Sequence, residues 1–157
     1  MNITAAKTRV LIVGGGFGGV AAALEFDRAR AANLEITLIT NKPHLEYYSA
    51  LYRVVTGRSP LEVCIPLSEI FCGHGINVMI DQITTLDPTT QTVGSVSNRR
   101  YSYDYVILAL GSETAYFEIQ GLREFSFGFK SIQEALRLEK HIIGIFAGCA
   151  GGKVAAE

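Results

Sequence analysis

The sequence predicts an α/β fold: a parallel sheet with helices, and an antiparallel β-meander added to it. Three observations point there. An aliphatic run breaks into glycines and is followed by an alanine-rich helical stretch and a second aliphatic run. A later block reads as short strands separated by turn chemistry. The chain of 157 residues is 48% hydrophobic and 18% charged, enough apolar material for a packed core and unlike a disordered segment. One domain, residues 1–157, is expected at this length.

Arg9 to Val13 (R-V-L-I-V) has the β-branched, uninterrupted character of a central parallel strand buried on both faces. Phe17 to Ala32 follows as a helix, with Val20, Ala23, Leu24 and Ala31 at helical spacing and Asn33 as a left-handed stop. Leu34 to Thr40 returns as a second strand and completes a βαβ unit. Asn41 to Pro66, punctuated by Pro43, Gly57, Pro60 and Pro66, reads as connection rather than core, with a short helix near Ser49 to Val55.

Asn77 to Leu86, Thr92 to Val96 and Arg100 to Tyr103 are expected as three antiparallel strands, separated by Asp87-Pro88-Thr89-Thr90 and Ser97-Asn98-Arg99. Tyr105 to Leu110 reads as a further buried parallel strand closed by Gly111-Ser112. Ser131-Ile132-Gln133-Glu134 has capping-box form and opens a helix over 131–150, with Gly148 and Gly151-Gly152 ending its pattern.

Charge excludes some functions. Fourteen basic and fifteen acidic residues leave a formal charge of -1, so no overall field favours nucleic acid or an anionic bilayer. Cys64, Cys72 and Cys149 have neither C-x-x-C nor C-x-x-x-x-C spacing and are expected as reduced, buried thiols. His44, His74 and His141 are scattered, which encodes no metal site. Met1 to Thr8 lacks signal-peptide organisation, and no apolar run reaches the roughly 20 residues of a spanning helix. A cytoplasmic location is expected, with any membrane contact peripheral or through residues beyond Glu157.

The motif that carries chemistry is Gly14-Gly15-Gly16-Phe17-Gly18-Gly19, a G-x-G-x-x-G that directly follows a strand and opens a helix. In this Rossmann-type setting Gly14 allows the turn, Gly16 lets backbone amides approach a pyrophosphate, and Gly19 lets the helix pack on the strand. The amides and positive dipole end of the helix then face the phosphates. The acid that commonly accepts the ribose hydroxyls falls here on Thr40 or Asn41, so the charge-assisted part of that contact is missing and weaker binding is predicted. Lys42 leaves two further readings open, a greeting for the 2′-phosphate of NADP and a solvated loop lysine.

Val10 to Gly19 (V-L-I-V-G-G-G-F-G-G), Tyr103 to Ser112 (Y-D-Y-V-I-L-A-L-G-S) and Gly121 to Leu138 resemble the flavin half of type II NADH dehydrogenases, within the pyridine nucleotide-disulfide oxidoreductase superfamily. The resemblance implies that the first motif holds the FAD pyrophosphate. It places Ile83, Ala109, Leu110, Gly111 and Ser112 beside the cofactor, sets Tyr48, Ser49 and Ala50 near the flavin ring, against a reading of these three as helix start and packing, and leads the chain from Lys130 towards an NADH-binding domain. Departures are visible: the family's A-T-G reads Ala109-Leu110-Gly111, its proline near the flavin is Ser49, and its ribose acid is Thr40. No second G-x-G-x-x-G follows, so the NADH-binding half is expected to be missing.

The implied reaction is hydride transfer from NADH to FAD and on to a quinone-type acceptor, with the cofactor doing the redox work and no catalytic side chain named. Glu46, Tyr47 and Tyr48 could approach the ring, against a reading of all three as solvent-facing. Two alternatives stay open: a disulfide reductase, which lacks its cysteine over residues 41–53, and a non-enzymatic module holding NAD(P) or another nucleotide.

Overall fold

Val10 to Val13 are buried on both faces of β1 (Thr8–Val13), because the strand lies between two parallel neighbours. The computed structural model describes residues 7–29 and 33–150. After β1 come α1 (Phe17–Arg28), β2 (Leu34–Thr40), β3 (His44–Glu46), a 3-10 turn at Tyr48–Ala50, α2 (Leu51–Val55), β4 (Cys64–Pro66) and α3 (Leu67–Ile70). The second half adds β5 (Ile76–Ile80), β6 (Ile83–Asp87), β7 (Thr92–Ser95), β8 (Arg100–Ser102), β9 (Tyr105–Leu108), α4 (Leu122–Phe125) and α5 (Ile132–Ala150).

The described residues divide into two compact units, one made of those up to Leu45 with Ile65–Gly111, the other of Glu46–Cys64 with those from Ser112 to Ala150. In the first, a parallel sheet runs in the order β5-β2-β1-β9 and a separate antiparallel sheet in the order β6-β7-β8. The α/β class, the parallel sheet and the meander are therefore as the sequence predicts. α1 turns Gly19, Val20 and Ala23 onto the sheet, where Ile12, Ile36 and Leu38 complete one core. Leu11, Val13, Ile39, Val93 and Tyr103 form a second.

In the second unit, α2 and α5 share a small core of Leu51, Val54, Val63 and Ala135. Ser131 accepts a hydrogen bond from the Glu134 amide at 3.1 Å, as a capping serine should. The Glu134 carboxylate reaches one residue further back than the box predicts, accepting from Lys130 N at 2.6 Å. Glu46, itself buried, accepts from Ile132 N at 3.3 Å and so places a second carboxylate at the helix start.

Several expectations are corrected. Asn77 to Leu86 is not one strand: it breaks at Asp81-Gln82, and its first half pairs in parallel with β2 while its second half opens the meander. Tyr105 to Leu110 ends as a strand at Leu108 and is not buried, because β9 is the edge of the sheet and leaves Tyr105 66% and Leu108 53% exposed. Asn41 to Pro66 is not merely connection, since Leu45, Leu51, Val54 and Val63 are core residues. Glu46 is buried rather than solvent-facing.

Gly148 does not stop α5, which continues to Ala150. α1 ends at Arg28, short of the expected Ala32. The remainder of that stretch, residues 30–32, and the Gly151-Gly152 stop lie outside the described residues. Cys72 and Cys149 are exposed thiols and Cys64 is half-buried, so the expectation of buried cysteines fails.

Candidate functional site

The carboxyl ends of the parallel strands bring four segments to one edge of the first unit. Gly14 donates to Ile39 O at 2.8 Å, Asp81 N to Thr40 O at 2.9 Å and Ala109 N to Val13 O at 2.8 Å. Gly14–Gly19, Thr40–Lys42, Asp81–Ile83 and Ala109–Gly111 therefore lie at the ends of β1, β2, β5 and β9, where ligands of open α/β sheets sit.

The glycines of the loop divide by what surrounds them. Gly14 has φ +114°, and a Cβ there would fall 2.1 Å from Ala109 O. One on Gly15 would meet Thr40 Oγ1 at 2.7 Å, and one on Gly19 would lie 1.8 Å from Gly14 O. These three are required by the turn and by the closeness of α1 to β1. Gly16 is different: its φ of -81° suits any residue, and nothing lies within 4 Å of where its Cβ would be.

The first helical bond of α1 runs from Val20 N to Gly16 O at 3.0 Å. The amides of Gly18 and Gly19 precede it and have no intrahelical acceptor, so a positive helix start faces open space beside Gly16. Phe17, 45% exposed, flanks it.

Thr40 is buried, with its hydroxyl against Gly15 and accepting a long 3.4 Å hydrogen bond from Lys42 N. Asn41 is exposed and Lys42 half-buried. Beyond the end of β5, Ile83 opens β6 and pairs with Ser95, and Val96 N donates to Gln82 O at 2.9 Å. That bond makes Ile83–Ser95 a non-hydrogen-bonded pair of the ladder, so the N–H and C=O of Ile83 point away from β7, to the open edge of β6. Ala109 packs its small side chain under Gly18 and Gly19, Leu110 is 71% exposed, and Gly111 has φ +79° with nothing within 4 Å of a would-be Cβ.

Two candidate residues belong to the second unit. Ser49 is exposed on the 3-10 turn, and Ser112 accepts a hydrogen bond from Lys130 Nζ at 3.1 Å. Asp81, buried at this edge, carries no motif in the sequence beyond a polar pair, Asp81-Gln82, interrupting an apolar strand pattern. No group of metal-ligating side chains occurs among the described residues.

The family profile of the pyridine nucleotide-disulphide oxidoreductases matches residues 8–154. The chain belongs to that family. This member is similar to the type II NADH:quinone oxidoreductase Ndh of Mycobacterium tuberculosis, with 34% identity over 89% of this chain and 31% of the relative. It is also similar to an NADH dehydrogenase-like protein of the same organism, with 30% identity over 90% of this chain and 36% of the relative. The solved sulfide:quinone oxidoreductase of Aquifex aeolicus superposes with a TM-score of 0.75 at 26% identity, over 89% of this chain and 32% of that one. The chain thus spans about a third of the length of the relatives it matches. No helix among its described residues is long and apolar enough to cross a membrane.

Proposed function

We propose that this chain is the flavin-binding part of an FAD-dependent NADH:quinone-type oxidoreductase. The observation that carries the reading is the contrast between Gly16 and its neighbours. Gly14, Gly15 and Gly19 are held to glycine by contacts within the protein, whereas Gly16 has ordinary backbone geometry and empty space. A glycine that the fold does not need is explained by a ligand whose pyrophosphate comes close to the main chain.

The residues fit FAD in this way. The pyrophosphate sits on Gly14–Gly19 at the positive start of α1, and the ribose lies at Thr40, Asn41 and Lys42 without a carboxylate to bind it. The base lies along Ile83, while Ala109, Leu110 and Gly111 give bare backbone to the cofactor. Bound FAD supplies the two-electron redox chemistry, and the protein binds and orients it.

Residues 1–157 serve in this reading as one FAD-binding domain, from which α5 leads on to an NADH-binding half. The NADH site, the quinone-type acceptor and peripheral membrane contact fall to the larger part of the relatives' length that this chain does not cover. In this reading residues 1–157 bind the cofactor.

The test is a titration of the purified protein with FAD, NADH and NADPH, read by flavin absorbance and calorimetry. Preferential binding of FAD supports the proposal. Preference for NADPH would instead favour a nucleotide-binding module using Lys42, and failure to bind any of the three would dismiss both readings.

A further inference from the structure

Asp81 is 8% exposed at the end of β5, and its hydrogen bonds reach three segments. Its amide donates to Thr40 O at 2.9 Å. Its carboxylate accepts from Gln82 N at 2.9 Å, from Ser97 Oγ at 2.5 Å and from Tyr101 OH at 2.9 Å. The Ser97 hydroxyl foremost, with that of Ser95, holds the carboxyl far below its ordinary value, so it stays ionised at any physiological pH.

Gln82 is fixed on both sides by this arrangement, its N–H by Asp81 and its C=O by Val96 N. The Gln82–Ile83 peptide is thereby set with the Ile83 N–H turned away from β7, and the pairing of Ile83 with Ser95 turns its C=O to the same open edge of β6. Strands in a sheet lie about 4.8 Å apart, so a nucleotide with its pyrophosphate at β1 and its ribose at β2 brings its base to β5, the next strand in the order.

We propose that Asp81 is a positioning residue for base recognition, selecting adenine by fixing the main chain at Gln82 and Ile83 that reads it. The inference rests on the dinucleotide reading above. Adenine offers an acceptor at N1 beside a donor at N6, the complement of the main-chain N–H and C=O of one residue. Hypoxanthine reverses both, with a protonated N1 and a carbonyl at C6, and meets the same groups donor to donor and acceptor to acceptor. Asp81 touches neither base.

The experiment compares ADP with IDP by titration calorimetry on the intact chain and on Asp81→Asn. Wild-type protein is expected to prefer ADP by about tenfold or more, the discrimination usual for a two-bond base contact. In Asp81→Asn the ratio should fall towards one, with IDP affinity nearly unchanged. A residue that only stabilised the fold would weaken ADP and IDP together and leave their ratio alone. Ser97→Ala and Tyr101→Phe each remove one donor and should shift the ratio the same way, which keeps the test decisive if Asp81→Asn does not fold.

Equal wild-type affinity for ADP and IDP, or an unchanged ratio in the folded variants, overturns the role of Asp81 and leaves the pyrophosphate site standing. Absence of ADP binding to wild-type protein overturns both.

Discussion

The carbonyl oxygen of Ala109 lies 2.1 Å from the point a Cβ would occupy on Gly14. The end of β9 and the turn after β1 are thus locked together by the absence of a side chain. Gly14→Ala should destabilise the protein by more than about 2 kcal/mol, since it adds a left-handed backbone cost to a collision with main chain. A urea midpoint within error of wild type would show that the turn is looser than this contact implies.

Ala109 itself should tolerate little growth. Its Cβ lies 3.5 Å from the Cβ position of Gly19 and 3.8 Å from that of Gly18. Ala109→Leu is expected to cost about 1–3 kcal/mol through overpacking and to push the start of α1 away from β1. Thermal unfolding measures the first effect, and loss of FAD affinity beyond the stability change measures the second.

Much of this was legible beforehand. Val10 to Val13 are apolar on both faces, Leu34 to Thr40 are apolar at every position but Glu35 and the threonines, and Gly14, Gly15 and Gly19 between them mark a turn with no room for side chains. What was not legible depended on partners distant in sequence. Asn77 to Leu86 keeps one strand-like composition throughout, and only the pairing of Ile76–Ile80 with β2 and of Ile83 with Ser95 divides it between sheets. β9 looks central in composition, yet its burial is set by whether a neighbour lies beyond it. Ser49 and Ser112 are implied by the resemblance alone, and no local physical signal distinguishes them from other exposed serines.

The cap of α5 offers a separate check. Ser131 bonds the Glu134 amide, and Ser131→Ala should lower stability by about 1 kcal/mol. Ser131→Asp should restore most of it, since an aspartate also accepts from the first turn and adds a favourable charge. A neutral Ser131→Ala would mean that Glu46 and Glu134 satisfy the helix start without it.

Acid sensitivity follows from carboxylates held in their ionised form. Hydrogen bonds from Arg9 keep Asp104 below its ordinary value of 3.8, and those from Thr90 do the same for Asp87. A carboxyl depressed in the folded state stabilises above its unfolded pKa, and that contribution disappears as pH falls through the folded one. Stability from these groups should therefore hold level above about pH 5 and decline steadily below about pH 4. Asp104→Asn should make the decline shallower in urea melts taken across this range. An unaltered slope would remove Asp104 from the account.

The most direct measurement concerns Gly16, where an added side chain meets nothing in the protein. Gly16→Val should keep the circular dichroism and melting midpoint of the wild type while losing FAD binding by at least about a hundredfold, because the valine occupies the approach of the pyrophosphate. If the variant folds normally and binds FAD as tightly as wild type, the space beside Gly16 does not hold the cofactor and the central claim fails.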